Sequence, residues 1–223
     1  KYGIGCFSKE AYDFVDQLEK AGQQYWQILP LGPTGYGDSP YQSVSTFAGN
    51  PYFIDLETLI DKKLLTKEEC ESCDWGGSES YVDYEKMYLS RFKLLRKAYE
   101  RANLKNDPDY VAFLKQEEDW LLDYCLFMAI KNAQNGKCWI DWPEELKDRH
   151  SKAVKEAEKE LAEEVEFYSF QQYCFTTQWS KLKKYANKKG IQIIGDVPIY
   201  VALDSSDAWA NPEMLQFDED YNP

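Results

Sequence analysis

The sequence has almost none of the residue on which general acid–base catalysis most often relies, histidine. It has one histidine in 223 residues, His150, set in the charged segment "LKDRHSK", so no Ser/His/Asp set can be built around it and a surface position is the simpler reading. It lacks a G-x-x-x-x-G-K-[ST] loop, a G-x-G-x-x-G after a strand and an H-E-x-x-H, which removes the main support for nucleotide binding and zinc hydrolysis. It has no run of about 18 apolar residues and no charged-then-apolar leader, so no membrane partner is expected. Positive charge is scarce. The 26 Lys and Arg face 39 Asp and Glu, a net charge of -13 that repels phosphate backbones and argues against nucleic acid. The six cysteines are dispersed rather than arranged as a disulfide framework, which fits a reducing cytoplasm. Cys70 and Cys73 form a single C-x-x-C without a second ligand pair for zinc or a thioredoxin-like context for redox chemistry.

What the chain does have is apolar and aromatic mass. It is 43% hydrophobic and 16% aromatic, with 17 Tyr and 7 Trp, enough to bury a core and to supply flat faces for an apolar ligand surface. Ala11, Phe14, Val15 and Leu18 follow helical spacing between a Ser8 cap and a Gly22 stop. After them "YWQIL", Tyr25 to Leu29, reads as a buried strand. From residue 56 to 166 the pattern is helical. Thr66 and Glu69 form a capping box, Tyr88, Phe92, Leu95 and Tyr99 share a helix face, and Asp107-Pro108 opens one long helix running to Gly136. The run "KAVKEAEKELAEEVE" is a solvated helix face with opposite charges at pairing distance. "FYSFQQYCFTTQWSKLKKYANKKG" is a helix ended by Gly190, and "IQIIGDVPIYV" is a second buried strand. The expected organisation is therefore 1–55 for the first helix, strand and loop, 56–166 for a mainly helical insert, and 167–223 for a return helix, strand and loop. Buried strands preceded by helices indicate an α/β fold with a parallel sheet, either doubly wound or a (β/α)8 barrel.

In parallel α/β folds, loops at the carboxyl ends of strands build the site. The first is "LGPTGYGDSPYQSVSTFAGNP", Leu31 to Pro51, where Gly32, Gly35 and Gly37 permit unusual backbone angles and Pro33 and Pro40 stiffen the path. It can hold Tyr36, Asp38, Ser39, Tyr41 and Gln42 in fixed orientation, although a Gly/Pro-rich loop can equally be only a turn. The second is "GDVPIYVALDSSDAW", with Asp196 at the strand end and Asp204 and Asp207 beyond. Asp204 fits a helix cap for "SSDAW" as well as a ligand contact.

The segment "YGIGCFSKEAYDFVDQLEKAGQQYWQILPLGPTGYGDSPYQSVSTFAGNPYFIDL" closely resembles the amino-terminal region of amylomaltases, the 4-alpha-glucanotransferases or disproportionating enzymes. "GIQIIGDVPIYVALDSSDAWANPEMLQFDED" resembles their next barrel-strand region, and "CWIDWPEELKDR" and "FYSFQQYCFTTQW" resemble their insert and return helix. The resemblance implies a (β/α)8 barrel with inserted subdomains, incomplete in this chain, acting on alpha-1,4-glucans and maltooligosaccharides in the cytoplasm without a dissociable cofactor or metal. It places Tyr41 and Asp196 beside the sugar at the cleavage point and Tyr36 at a more peripheral glucan position, with Asp38, Ser39 and Gln42 in the same motif. It also implies that the first barrel strand and the three catalytic carboxylates are missing here, so that no catalytic residue is assigned and the missing carboxyl-terminal half is a required partner. A related alpha-amylase-clan hydrolase and a non-catalytic glucan-binding or scaffold protein are the alternatives.

Overall fold

The computed structural model describes residues 1–35, 37–78, 80–219 and 221. Its helices are α1 (Lys9–Lys20), α2 (Leu56–Asp61), α3 (Lys67–Glu71), α4 (Tyr84–Arg101), α5 (Pro108–Gln116), α6 (Leu121–Ala133), α7 (Glu144–Lys147), α8 (Ser151–Glu160), α9 (Ala162–Lys188) and α10 (Ser206–Ala210). Two strands, β1 (Tyr25–Gln27) and β2 (Gln192–Ile194), pair in parallel with Trp26 opposite Ile193. The chain divides into two compact units. One comprises Lys1–Leu29, Asn50–Asp107 and Gln171–Asp196; the other comprises Pro30–Gly49, Pro108–Phe170 and Val197–Pro223.

In the first unit the helix signals act as their chemistry dictates. Thr66 Oγ1 accepts from Glu69 N while the Glu69 carboxylate accepts from Thr66 N, closing the capping box of α3. Gly22 and Gly190 stop α1 and α9 at φ of 71° and 78°, left-handed values that carry no Cβ penalty in glycine. Ser8 behaves differently from expectation. It occupies the N-cap position of α1 without accepting a backbone N–H, because its hydroxyl donates to the Glu10 carboxylate instead. Phe7 packs edge-on to Phe175 with ring centroids 5.2 Å apart and lies 5.5 Å from Trp179. Val15, Ile54, Leu56, Leu59, Met87, Leu95, Leu182 and Ile191 are buried. Among them lies a fully buried cation, Arg91, which donates to the carbonyls of Ile54 at 2.6 Å and Tyr2 at 3.2 Å. Burial lowers its pKa from the ordinary arginine value.

The strands correct the sequence reading. Each has only three residues, and neither is buried: Tyr25 is 56% and Ile194 47% exposed. A strand extends only as far as a neighbour pairs with it, and each of these has one neighbour among the described residues. The pairing does establish direction. Gln27 lies opposite Ile194, and Ile28 N donates to Ile194 O, so the chain leaves both strands at the same end of the sheet.

The second unit is helical and rich in tryptophan. Trp139, Trp142 and Trp209 are buried, and each indole N–H finds a carbonyl, respectively Leu203 O at 2.8 Å, Lys137 O at 3.1 Å and Leu146 O at 2.9 Å. The Arg149 guanidinium lies 4.2 Å from the Trp209 ring centroid and donates to Asp123. The long helix expected from Asp107 is two helices, α5 and α6, divided at Glu117–Trp120. "EED" at residues 117–119 explains the division: three carboxylates oppose the negative carboxyl end of one helix and favour the positive amino end of the next. Gly136 stops α6 at a φ of 77°, and His150 is exposed at the start of α8. Charge separates with the units. The second holds 22 Asp and Glu against 8 Lys and Arg, whereas the first holds 17 against 18, so essentially all of the net negative charge belongs to the helical unit.

Candidate functional site: the loop after the first strand

Leu31 to Gly49 is a long connection that has no helix or extended strand among its described residues, yet its backbone is closely tied. Thr34 and Ser43 form an antiparallel bridge, with Val44 N donating to Pro33 O at 3.2 Å and Gly35 N to Gln42 O at 3.3 Å. At the tip, Asp38 N donates to Gly35 O and Gln42 N to Ser39 O. Gly37 and Asp38 both have positive φ, 90° and 52°, the second being a conformation that aspartate adopts more readily than most residues. Thr34 Oγ1 donates to the Asp38 carboxylate at 3.3 Å, and Ser39 Oγ accepts from Tyr41 N at 3.3 Å.

The base of the loop is held by residues the sequence reading did not single out. Buried Ser43 Oγ lies 2.9 Å from Pro33 O and 2.6 Å from Ser45 O. Ser45 Oγ accepts from Phe47 N and Ala48 N, and Ser206 donates through both its N and its Oγ to Val44 O. Asp207, beyond the second strand, accepts from Thr46 N at 2.9 Å. The cap of α10 is Ser205, whose Oγ accepts from Ala208 N, while Asp204 pairs with Lys131. Neither of these two aspartates is therefore committed to a ligand. The only hint of these roles in sequence is the density of Ser, Thr and Asp, residues that hydrogen-bond nearby backbone.

The expected site residues sort accordingly. Asp38, Ser39, Tyr41 and Gln42 are brought together on this one loop, with Tyr41 46% exposed and Gln42 exposed. Asp196 lies in the first unit, half-buried, one residue after Gly195 at the carboxyl end of β2. Tyr36 lies outside the described residues. A rigid loop offering an exposed phenol beside carboxylate, hydroxyl and amide groups can bind a ligand that has both an apolar face and hydroxyls. A cavity of about 410 Å³ also lies in the second unit, lined by Tyr110, Leu114, Leu121, Leu122, Glu118 and Glu158 among others. Cys70 is buried, which pushes its thiol up to about 11, and the Cys73 thiol donates to Glu69 O within the turn that ends α3. No helix among the described residues is long and apolar enough to cross a membrane.

Comparison with known proteins identifies the family. The family model described as 4-alpha-glucanotransferase matches residues 1–221. The chain is 51% identical over 215 residues to a 4-alpha-glucanotransferase of Clostridium butyricum, covering 96% of this chain and 44% of that protein. It is 47% identical over 226 residues to one of Thermus thermophilus, covering 100% and 44%. The structure superposes on an amylomaltase from Streptococcus agalactiae in complex with acarbose with a TM-score of 0.93 at 40% identity, covering 99% of this chain and 45% of that one. The chain thus spans a little under half the length of the relatives it matches. On the strength of a family match over almost every residue, the chain belongs to the 4-alpha-glucanotransferase family.

Proposed function

We propose that this chain forms the glucan-binding amino-terminal part of a 4-alpha-glucanotransferase, a (β/α)8 barrel whose catalytic carboxylates lie in a further, carboxyl-terminal part of the protein. The observation that carries the reading is the rigid loop with exposed Tyr41, in a chain of this family. Segments 1–55 and 167–223 would be barrel units and 56–166 the insert. The exposure of Tyr25 and Ile194 supports a barrel completed by other strands, because parallel sheets are ordinarily covered on both faces.

In the complete protein the chemistry is a retaining double displacement. One carboxylate attacks the anomeric carbon, an acid protonates the departing glucan, and a second glucan rather than water attacks the glycosyl-enzyme. Transfer prevails when the acceptor is held in place and water is kept out. This chain's share is binding: Tyr41 stacks on the sugar at the cleavage point, Asp196 accepts hydroxyl hydrogen bonds there, Tyr36 holds a more peripheral glucose, and Asp38, Ser39 and Gln42 shape the loop around them. Alpha-1,4-glucans and maltooligosaccharides are the substrates, no dissociable cofactor takes part, and the setting is the cytoplasm.

The test is to incubate the full-length protein and the isolated 223-residue chain with maltotriose. The full-length protein is expected to yield glucose together with longer maltooligosaccharides, and the isolated chain nothing. Hydrolysis products without longer chains would assign the protein to a hydrolase instead, and robust disproportionation by the isolated chain would sink the claim that the carboxylates lie elsewhere.

A further inference from the structure

A second aromatic surface lies on the same loop, six residues beyond Tyr41. Phe47 is 63% exposed, yet its ring is not loose: it stacks on Trp120 with centroids 6.0 Å apart and planes 23° from parallel. Both partners are fixed from behind. Phe47 N donates to Ser45 Oγ at 3.2 Å, and the preceding Thr46 N donates to the Asp207 carboxylate. On the other side, Trp120 Nε1 donates to Glu117 Oε2 at 2.8 Å, and its ring packs at a tilt on buried Tyr124, centroids 6.2 Å apart. Glu117 is steadied in turn by Gln116, whose Nε2 donates to Oε1 at 2.9 Å.

An exposed phenylalanine is unremarkable by itself. Two rings in an offset stack, each locked by its own hydrogen-bonded support, are different, because they form an apolar surface that keeps its shape in water. Phe47 is exposed and Trp120 partly exposed in that arrangement, with the Glu117 carboxylate and the Gln116 amide beside them. A pyranose has the matching chemistry: a face of C–H groups to lie on the rings, and equatorial hydroxyls around its edge to meet Glu117 and Gln116. The Glu117 carboxylate repels an anionic ligand, and an aliphatic one has no use for the polar border.

We propose that Phe47 and Trp120 form an additional glucan-binding platform that holds the substrate chain away from the bond being cleaved. The inference rests on the glucan reading above. It predicts a dependence on chain length, since a glucan reaching beyond the cleavage site engages the platform and a trisaccharide lying across the cleaved bond does not.

The experiment compares the full-length protein with Phe47→Ala and Phe47→Trp in amylose-containing gels and in disproportionation of amylose and maltotriose. Phe47→Ala is expected to migrate faster than wild type in amylose gels and to lower the kcat/KM ratio of amylose over maltotriose roughly three- to tenfold, the effect of one lost ring contact. Phe47→Trp restores both, which a merely structural role would not explain, and equal melting temperatures confirm that the fold is intact. Unchanged mobility and an unchanged ratio in Phe47→Ala overturn the platform, as does an equal loss on both substrates. A wild-type protein retarded by amylose in a Phe47-dependent way but forming no transfer products would overturn the transferase reading and leave the platform standing.

Discussion

Gln178 pairs with the backbone of Asp55 as a neighbouring strand would. Its Oε1 accepts from Asp55 N at 2.7 Å and its Nε2 donates to Asp55 O at 3.2 Å, with both residues buried. Asp55 is also the N-cap of α2, its carboxylate accepting from Glu57 N and Thr58 N. One amide of α9 therefore anchors the turn that starts another helix 123 positions earlier. Gln178→Leu should leave a buried N–H and a buried carbonyl unpaired and destabilise the protein by about 2 kcal/mol or more. A urea denaturation midpoint equal to wild type would show that the pairing contributes nothing.

Gly32 is a steric requirement. A Cβ there would lie 2.6 Å from Ser43 Oγ and 3.2 Å from Ser43 Cβ, and Ser43 cannot yield without losing its contacts to Pro33 O and Ser45 O. Gly32→Ala should lower stability by about 1–3 kcal/mol. Adding Ser43→Ala removes the hydroxyl that clashes, so the double variant should lose less than the two single losses together. Strict additivity in thermal melts would mean that the two residues do not interfere.

The Glu69 carboxyl is held well below the usual carboxylate range, first by hydrogen bonds from Arg101 at 2.7 Å, then by Thr66 N and by Lys97. A carboxylate with a depressed folded-state pKa stabilises the fold above its unfolded pKa, about 4.3 for Glu, and loses that contribution as pH falls from there toward the folded value. The stability gap between wild type and Glu69→Gln should therefore be widest near neutrality, shrink as pH drops below about 4, and narrow with added salt because its partner Arg101 is exposed. A gap independent of pH between 3 and 7 would refute the electrostatic account.

Tyr41 carries the functional reading. Tyr41→Ala in the full-length protein should reduce kcat/KM for maltotriose about tenfold or more through loss of ring contact with the sugar, with a melting temperature measured alongside to separate that loss from any effect on the fold. Unchanged kinetics would remove it from the site.

Arg91 should prove indispensable to the first unit. Arg91→Ala opens a cavity and strands the carbonyls of Ile54 and Tyr2, a loss of about 3–5 kcal/mol. Arg91→Lys should recover only part of it, since a point ammonium does not reproduce a planar fork reaching two carbonyls. Wild-type stability in Arg91→Lys would contradict that geometry.

These residues also mark where sequence reasoning reaches. The Thr66–Glu69 capping box, the stops at Gly22, Gly136 and Gly190, and the amphipathic helices were legible because each depends on residues within a turn or two of one another. Ser8 shows the limit of that logic, since a neighbouring carboxylate took the hydroxyl the helix was expected to use. The loop after β1 was legible as an ordered connection from its Gly and Pro spacing, but Ser43, Ser206 and Asp207 as its fasteners were not.

By itself the sequence determined the helical periodicities, the punctuation between elements, the net negative charge and the family. Only the tertiary structure decided that Arg91 is buried, that Gln178 completes the turn at Asp55, that the strands are short and exposed, and that Phe47 meets Trp120. The physical reason is the range of the forces. Propensity and capping are settled between neighbours in the chain, whereas burial, hydrogen-bond satisfaction and ring stacking depend on which distant residues the fold brings within a few ångströms.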